Sequence, residues 1–105
     1  ILDMLTTPDG RVISGVFFPH LLMGFRAIRS FDVVQESRNR LVVRMALAET
    51  LASEDRGFIE GKVVETFGPE MHVEWIVGPD VQIERSAKYR PVRSNASSSS
   101  GSAVA

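Results

Sequence analysis

Two neighbouring segments constrain this chain more than anything else in it. Leu41, Val43, Met45 and Leu47 occupy every second position, with Val42, Arg44 and Ala46 between them. A period of two sends one set of side chains toward a core and the other set away, as in a half-buried strand. Phe31–Glu36 reads as a second strand, and the polar stretch Ser37-Arg38-Asn39-Arg40 joins the two. Strand, short polar turn and strand make a β-hairpin. The middle of the chain is therefore committed to a sheet.

After the hairpin the period changes. Ile59, Val63 and Phe67 fall four residues apart, which is the apolar stripe of a helix. Ser53 reads as its N-cap, and Glu54 and Asp55 sit in the first turn, where the helix dipole favours negative charge. Gly57 and Gly61 each weaken the pattern by roughly 1 kcal/mol relative to alanine. Gly68-Pro69 closes it. Glu54, Asp55, Glu60 and Glu65 have the spacing of a solvated helix face, not of a catalytic carboxylate pair. Met71, Val73, Trp75 and Val77 then alternate with His72, Glu74 and Ile76 to give a last strand.

Upstream, Thr7-Pro8-Asp9-Gly10 is a turn with a physical basis: proline fixes φ, aspartate bonds nearby backbone, and glycine accepts positive φ. It predicts a small hairpin between residues 2–6 and 11–14. Pro19 predicts a short helix over 19–25, with Leu21, Leu22 and Phe25 available to the core. Periodicity fades through residues 80–93. From Ser94 the chain is rich in Ser, Ala, Asn and Gly, a composition too poor in apolar surface to order itself. The expectation is one domain over residues 1–93 and a flexible tail over 94–105. The fold expected is α+β: a small antiparallel sheet with an N-terminal hairpin and two helices on one face, βαββαβ-like at its centre.

Composition narrows the function classes. The chain has 105 residues with 12 basic and 13 acidic side chains, so it lacks the basic footprint of a nucleic-acid or anionic-membrane binder. It has no cysteine, which removes disulfides, thiolate nucleophiles and cysteine zinc sites. No apolar run approaches the ~18–20 residues of a membrane span, and the N-terminus lacks a signal-peptide pattern. These features point to the cytoplasm. The chain opens on Ile1-Leu2-Asp3-Met4-Leu5 without an initiator methionine, which reads as a piece of a longer protein. No GxGxxG or phosphate loop is present, and Ile13-Ser14-Gly15 is not a nucleophile elbow. His20 and His72 lack metal-ligand spacing; they read as a helix-start residue and an outer-face strand residue. No metal site is expected.

Two segments stand out: the run from Thr7 to Leu21, through Gly15-Val16-Phe17-Phe18-Pro19, and Ser86-Ala87-Lys88-Tyr89-Arg90. Together they resemble the C-terminal domain of adenylate-forming ligases, nearest the phenylacetate–coenzyme A ligases, the CapK-like proteins and the coenzyme-F adenylylating synthetases. The hairpin Phe31–Glu36 with Arg40–Arg44 and the turn Gly68-Pro69-Glu70-Met71 are similar to that family too. The resemblance covers about residues 1–94.

It implies an enzyme that activates a carboxylic acid with ATP to an acyl-adenylate, then passes the acyl group to coenzyme A. It implies a larger N-terminal domain as partner, holding most of the acid, ATP and magnesium contacts, so that this domain binds no cofactor tightly and does not turn over alone. Lys88 matches the family's adenylation lysine, a cation between the attacking carboxylate and the α-phosphate; from composition alone it is a surface lysine. Ala87 stands where the family carries glycine. Arg90 matches the following basic residue, a phosphate contact or a solvated arginine. Gly15 matches the loop glycine near the pantetheine tunnel; read from the residues, it is a tight turn. Leu2 falls at the hinge position and Asp3 at the acid beside it. The competing reading is a stand-alone ferredoxin-like regulatory or interaction module that dimerises through a sheet edge, since fold does not settle function. A homodimer is also expected of an excised domain with exposed apolar surface.

Overall fold

The two strands that the alternation predicts form the centre of the main sheet. The computed structural model describes residues 3–83 and 91–95. In chain order the elements are β1 (Leu5–Thr6), β2 (Val12–Ile13), α1 (Phe17–Leu22), β3 (Ile28–Ser37), β4 (Arg40–Leu47), α2 (Ser53–Phe67), β5 (His72–Gly78) and β6 (Val92–Ser94). β1 and β2 make a separate two-stranded sheet, and the main sheet has the order β5-β4-β3-β6.

The fold is α+β with both helices on one face of the sheet. Phe31 and Val33 of β3 and Leu41, Val43 and Met45 of β4 turn toward the helices. They bury against Phe18 and Leu22 of α1 and Ile59, Val63 and Phe67 of α2. The three rings of Phe17, Phe18 and Phe67 join the helices, with Phe18 and Phe67 stacked at 5.9 Å between centroids and Phe17 edge-on to Phe18 at 5.0 Å.

The main sheet is mixed, where the sequence predicts an antiparallel one. β3 and β4 are antiparallel, but β5 pairs parallel to β4 and β6 parallel to β3. The reason is the helix. A crossover through α2 returns the chain to the end from which β4 started, so two adjacent strands joined this way run parallel. β6 is itself unforeseen, and it takes in Ser94, which composition assigns to the tail.

Helix ends differ in detail. α1 begins at Phe17, so Pro19 is its third residue; an amide-free residue is tolerated throughout the first turn, where no intrahelical acceptor exists. His20 accordingly lies in the last turn of α1 rather than at its start. The N-cap of α2 is Ala52 and makes no side-chain capping bond; Ser53 is already helical. Gly68 ends α2 at φ 93° and ψ 162°, a conformation that belongs almost wholly to glycine.

Candidate functional site

The N-terminal hairpin is held in place by side chains. In its turn, Gly10 adopts φ 91° and donates to the Thr7 carbonyl at 2.9 Å. The Arg11 amide donates to the Thr7 hydroxyl at 2.8 Å. Asp9 accepts from the Thr7 hydroxyl and pairs with Arg11 at 3.1 Å. The Thr7 hydroxyl first, then Arg11, hold the Asp9 carboxyl below its ordinary pKa. Arg11 also donates to the Thr66 carbonyl at 3.1 Å, near the C-terminal end of α2, where a cation suits the helix dipole. Gln35, fully buried on β3, does what a neighbouring strand would do. Its amide oxygen accepts from the Thr6 N–H at 2.9 Å, and its amide nitrogen donates to the Thr6 carbonyl at 2.6 Å.

The hairpin delivers the chain into the turn that contains Gly15. Gly15 is buried between β2 and α1. Among the described residues only Gly10 and Gly68 have positive φ, so the backbone angle at Gly15 does not itself demand glycine. Ser14 accepts from the Val16 N–H at 3.2 Å and shapes the turn. Beside it opens an apolar groove of about 760 Å³ between α1 and α2, lined by Val16, Phe17, Leu21, Phe25, Phe58 and Lys62 among others. The Lys62 ammonium lies 5.7 Å from the Phe58 ring centre.

A second polar cluster sits on the sheet face opposite α1 and α2. Asp32 of β3 is 1% exposed. It is paired with Arg93 of β6 and with Arg44 of β4 at 3.7 Å. Arg44 donates further to the Gln82 carbonyl at 2.9 Å. β6 is also tied to the start of the chain. The Asp3 amide donates to the Val92 carbonyl at 3.2 Å, and the Asp3 carboxylate accepts from the Ser94 amide at 2.8 Å. The Val33 amide donates to the Pro91 carbonyl at 2.7 Å. Asp3 and the segment that follows residue 90 are thus brought together across the length of the chain.

The model of one family, the CapK C-terminal domain, matches residues 5–95. The chain belongs to that family. No curated protein and no solved structure matches it. The matched span runs from β1 to the residue after β6, so in this CapK C-terminal domain the hairpin, the Gly15 turn and the Asp32 cluster all belong to the family unit.

Lys88, Arg90 and Leu2 lie outside the described residues, as does Ala87. Asp3 and Gly15 are described and lie in different parts of the domain: Asp3 against β6, Gly15 between Ser14 and Val16, which line the groove. Among the described residues no group of three or more His, Cys, Asp or Glu is placed to hold a metal. Also among them, no helix is long and apolar enough to cross a membrane. Sequence reasoning missed Asp32 and its two arginines. A signal was present: Asp32 and Arg44 are directly opposed in the β3–β4 register, and opposite charges favour that position. Arg93 carried no such signal, because its partner is 61 residues away.

Proposed function

We propose that this CapK C-terminal domain is the mobile C-terminal part of an ATP-dependent carboxylic acid ligase, with Lys88 as its adenylation lysine. The carrying observation is the family match over residues 5–95, which contains both Lys88 and the Gly15 turn that the resemblance singles out. In the first half-reaction a carboxylate oxygen attacks the α-phosphorus of ATP, and the bond to the departing pyrophosphate breaks. Both reactants are anions. The Lys88 ammonium placed between them offsets their repulsion and stabilises the charge of the transition state. In the second half-reaction the thiol of coenzyme A attacks the acyl carbon, loses its proton and releases AMP. The Gly15 turn lies beside the path of that thiol, and Arg90 supports the phosphate. The larger domain supplies the acid pocket and most nucleotide contacts, so the isolated domain does not turn over. Leu2 and Asp3 form the hinge to that larger domain, a reading supported by the tie of Asp3 to β6.

The test uses the enzyme with its larger domain present. Lys88→Ala slows acyl-adenylate formation by about 100-fold or more, the usual cost of removing one preorganised electrostatic stabiliser. Thioester formation from supplied acyl-adenylate survives. Equal loss of both half-reactions, or of neither, rejects the role of Lys88.

A further inference from the structure

We infer that the groove between α1 and α2 is a binding site for a small amphipathic carboxylate, its apolar body seated on the phenylalanine rings and its carboxylate held by Lys62 and His20. The site goes beyond the reading of Lys88 and does not depend on it. Val16, Phe17, Leu21, Phe25 and Phe58 make the apolar wall. That wall is formed in advance of any ligand. Phe17 is held edge-on by Phe18 at 5.0 Å and by Phe67 at 5.7 Å, and Phe25 meets Phe58 at 6.3 Å. Phe58 is 52% exposed, so much of its ring still has apolar area to bury. The volume of about 760 Å³ lies within the roughly 300–1,000 Å³ of small-molecule sites.

Charge selects the occupant. Among the described residues that line the groove, only Lys62 and His20 are ionisable, and none is a carboxylate. Lys62 comes from α2 and His20 from α1, so the two helices each bring a nitrogen to the same groove. The Lys62 ammonium lies over the Phe58 ring, 5.7 Å from its centre, which keeps it beside the apolar wall. Its partner Glu65 stands at 3.9 Å and is 73% exposed, beyond hydrogen-bond distance, so the ammonium donors are left for a ligand. A carboxylate with an apolar tail matches both the wall and the charge. A neutral or cationic molecule with the same tail matches the wall alone.

The experiment uses the 105-residue chain and isothermal titration calorimetry. Octanoate, octanol and octylamine share one tail and differ only in the head. Octanoate is expected to bind once per chain with a Kd of about 1 mM or tighter, the scale for a ten-atom ligand of ordinary efficiency. Octanol and octylamine are expected to bind about fivefold more weakly or worse. Decanoate binds about fourfold more tightly than octanoate, roughly half the gain of burying two methylenes completely, because the groove is open to solvent on one side. Phe58→Gln weakens octanoate by about tenfold. Lys62→Gln weakens it by about threefold and narrows its lead over octanol. Val64→Gln, on α2 and 52% exposed but outside the groove, changes neither. Should Phe58→Gln fail to fold, Lys62→Gln and the three heads decide. Equal binding of the three heads, equal loss in Val64→Gln and Phe58→Gln, or no saturable binding of octanoate or decanoate overturns the inference. It is also overturned if the larger domain, once present, abolishes the effect of Phe58→Gln on octanoate binding, since the groove is then the seat of that domain. Self-association of the chain that Phe58→Gln abolishes and octanoate leaves intact overturns it too, since a second copy is then the occupant.

Discussion

The two faces of the central sheet solve the same problem in opposite ways. On the helix side, Val33, Val43 and Met45 meet Ile59, Val63 and Phe67, and all six are at most 1% exposed. On the other side no helix arrives among the described residues, yet Asp32 is as deeply buried as they are. Two long arginine side chains, Arg44 and Arg93, reach its carboxylate from the strands on either side. An apolar face gains from any well-shaped neighbour. A buried ion pair depends on particular atoms, because each unpaired charge loses its solvent without return. The covered face therefore supplies stability, and the open face supplies geometry.

The sharpest way to break this comparison is to damage the covered face first. Phe67→Ala removes a ring from the aromatic cluster and is expected to cost about 3–5 kcal/mol, the range for large-to-small core changes, measured by urea denaturation. Next comes the open face. Asp32→Ala strands two partly exposed guanidiniums and is expected to cost roughly 3 kcal/mol, at the low end for a broken buried pair. The combined change Asp32→Leu, Arg44→Met and Arg93→Met is expected to recover most of that loss, since replacing a whole buried ion cluster with apolar groups is often neutral. If the triple variant is no more stable than Asp32→Ala, the open face holds the fold together as the covered face does, and the contrast fails.

Arg40 gives a smaller effect on the same face. It pairs with Glu36 at 2.9 Å and with Glu74 of β5, and the Glu36 hydrogen bond is the main cause of its raised pKa. All three side chains are more than 40% exposed, so Arg40→Gln is expected to lower the melting temperature far less than Asp32→Ala, and by still less in high salt. A loss as large as that of Asp32→Ala would show that burial is not what separates the two clusters. The smallest effect lies off the sheet. Asp9 has its pKa lowered by Thr7 and Arg11, so its contribution to stability is present above the unfolded carboxylate value and is lost as pH falls through the lower folded value. The parent is expected to lose stability on acidification below about pH 4, and Asp9→Asn to lose measurably less over the same window in thermal melts.

Much of the architecture was legible beforehand, for reasons visible in single residues. The alternation from Leu41 to Leu47 and from Met71 to Val77, and the four-residue spacing of Ile59, Val63 and Phe67, report directly on which side of an element faces the core. Proline and glycine marked turns because their backbone limits are local: Gly10 and Gly68 both adopt the positive φ their neighbours cannot. Ser53 misled because a capping residue type is also acceptable one position later, inside the first turn. Of the candidate site, Gly15 and Asp3 could be named in advance through the resemblance, but their neighbours in the fold could not. Asp32 looked like any outward polar residue of a half-buried strand.

By itself, then, the sequence determined the kind of each main element and the face it buries, since those depend on spacing of a few residues along one backbone. The tertiary structure alone decided that β5 and β6 run parallel to their neighbours and that Val92–Ser94 is a strand at all. It also decided that Asp3 meets the backbone of β6 and that Asp32 meets Arg93. A three-residue edge strand carries too few side chains to announce a period, and a charge pair 61 residues apart leaves no local trace; both exist only because pairing with β3 supplies the missing partners.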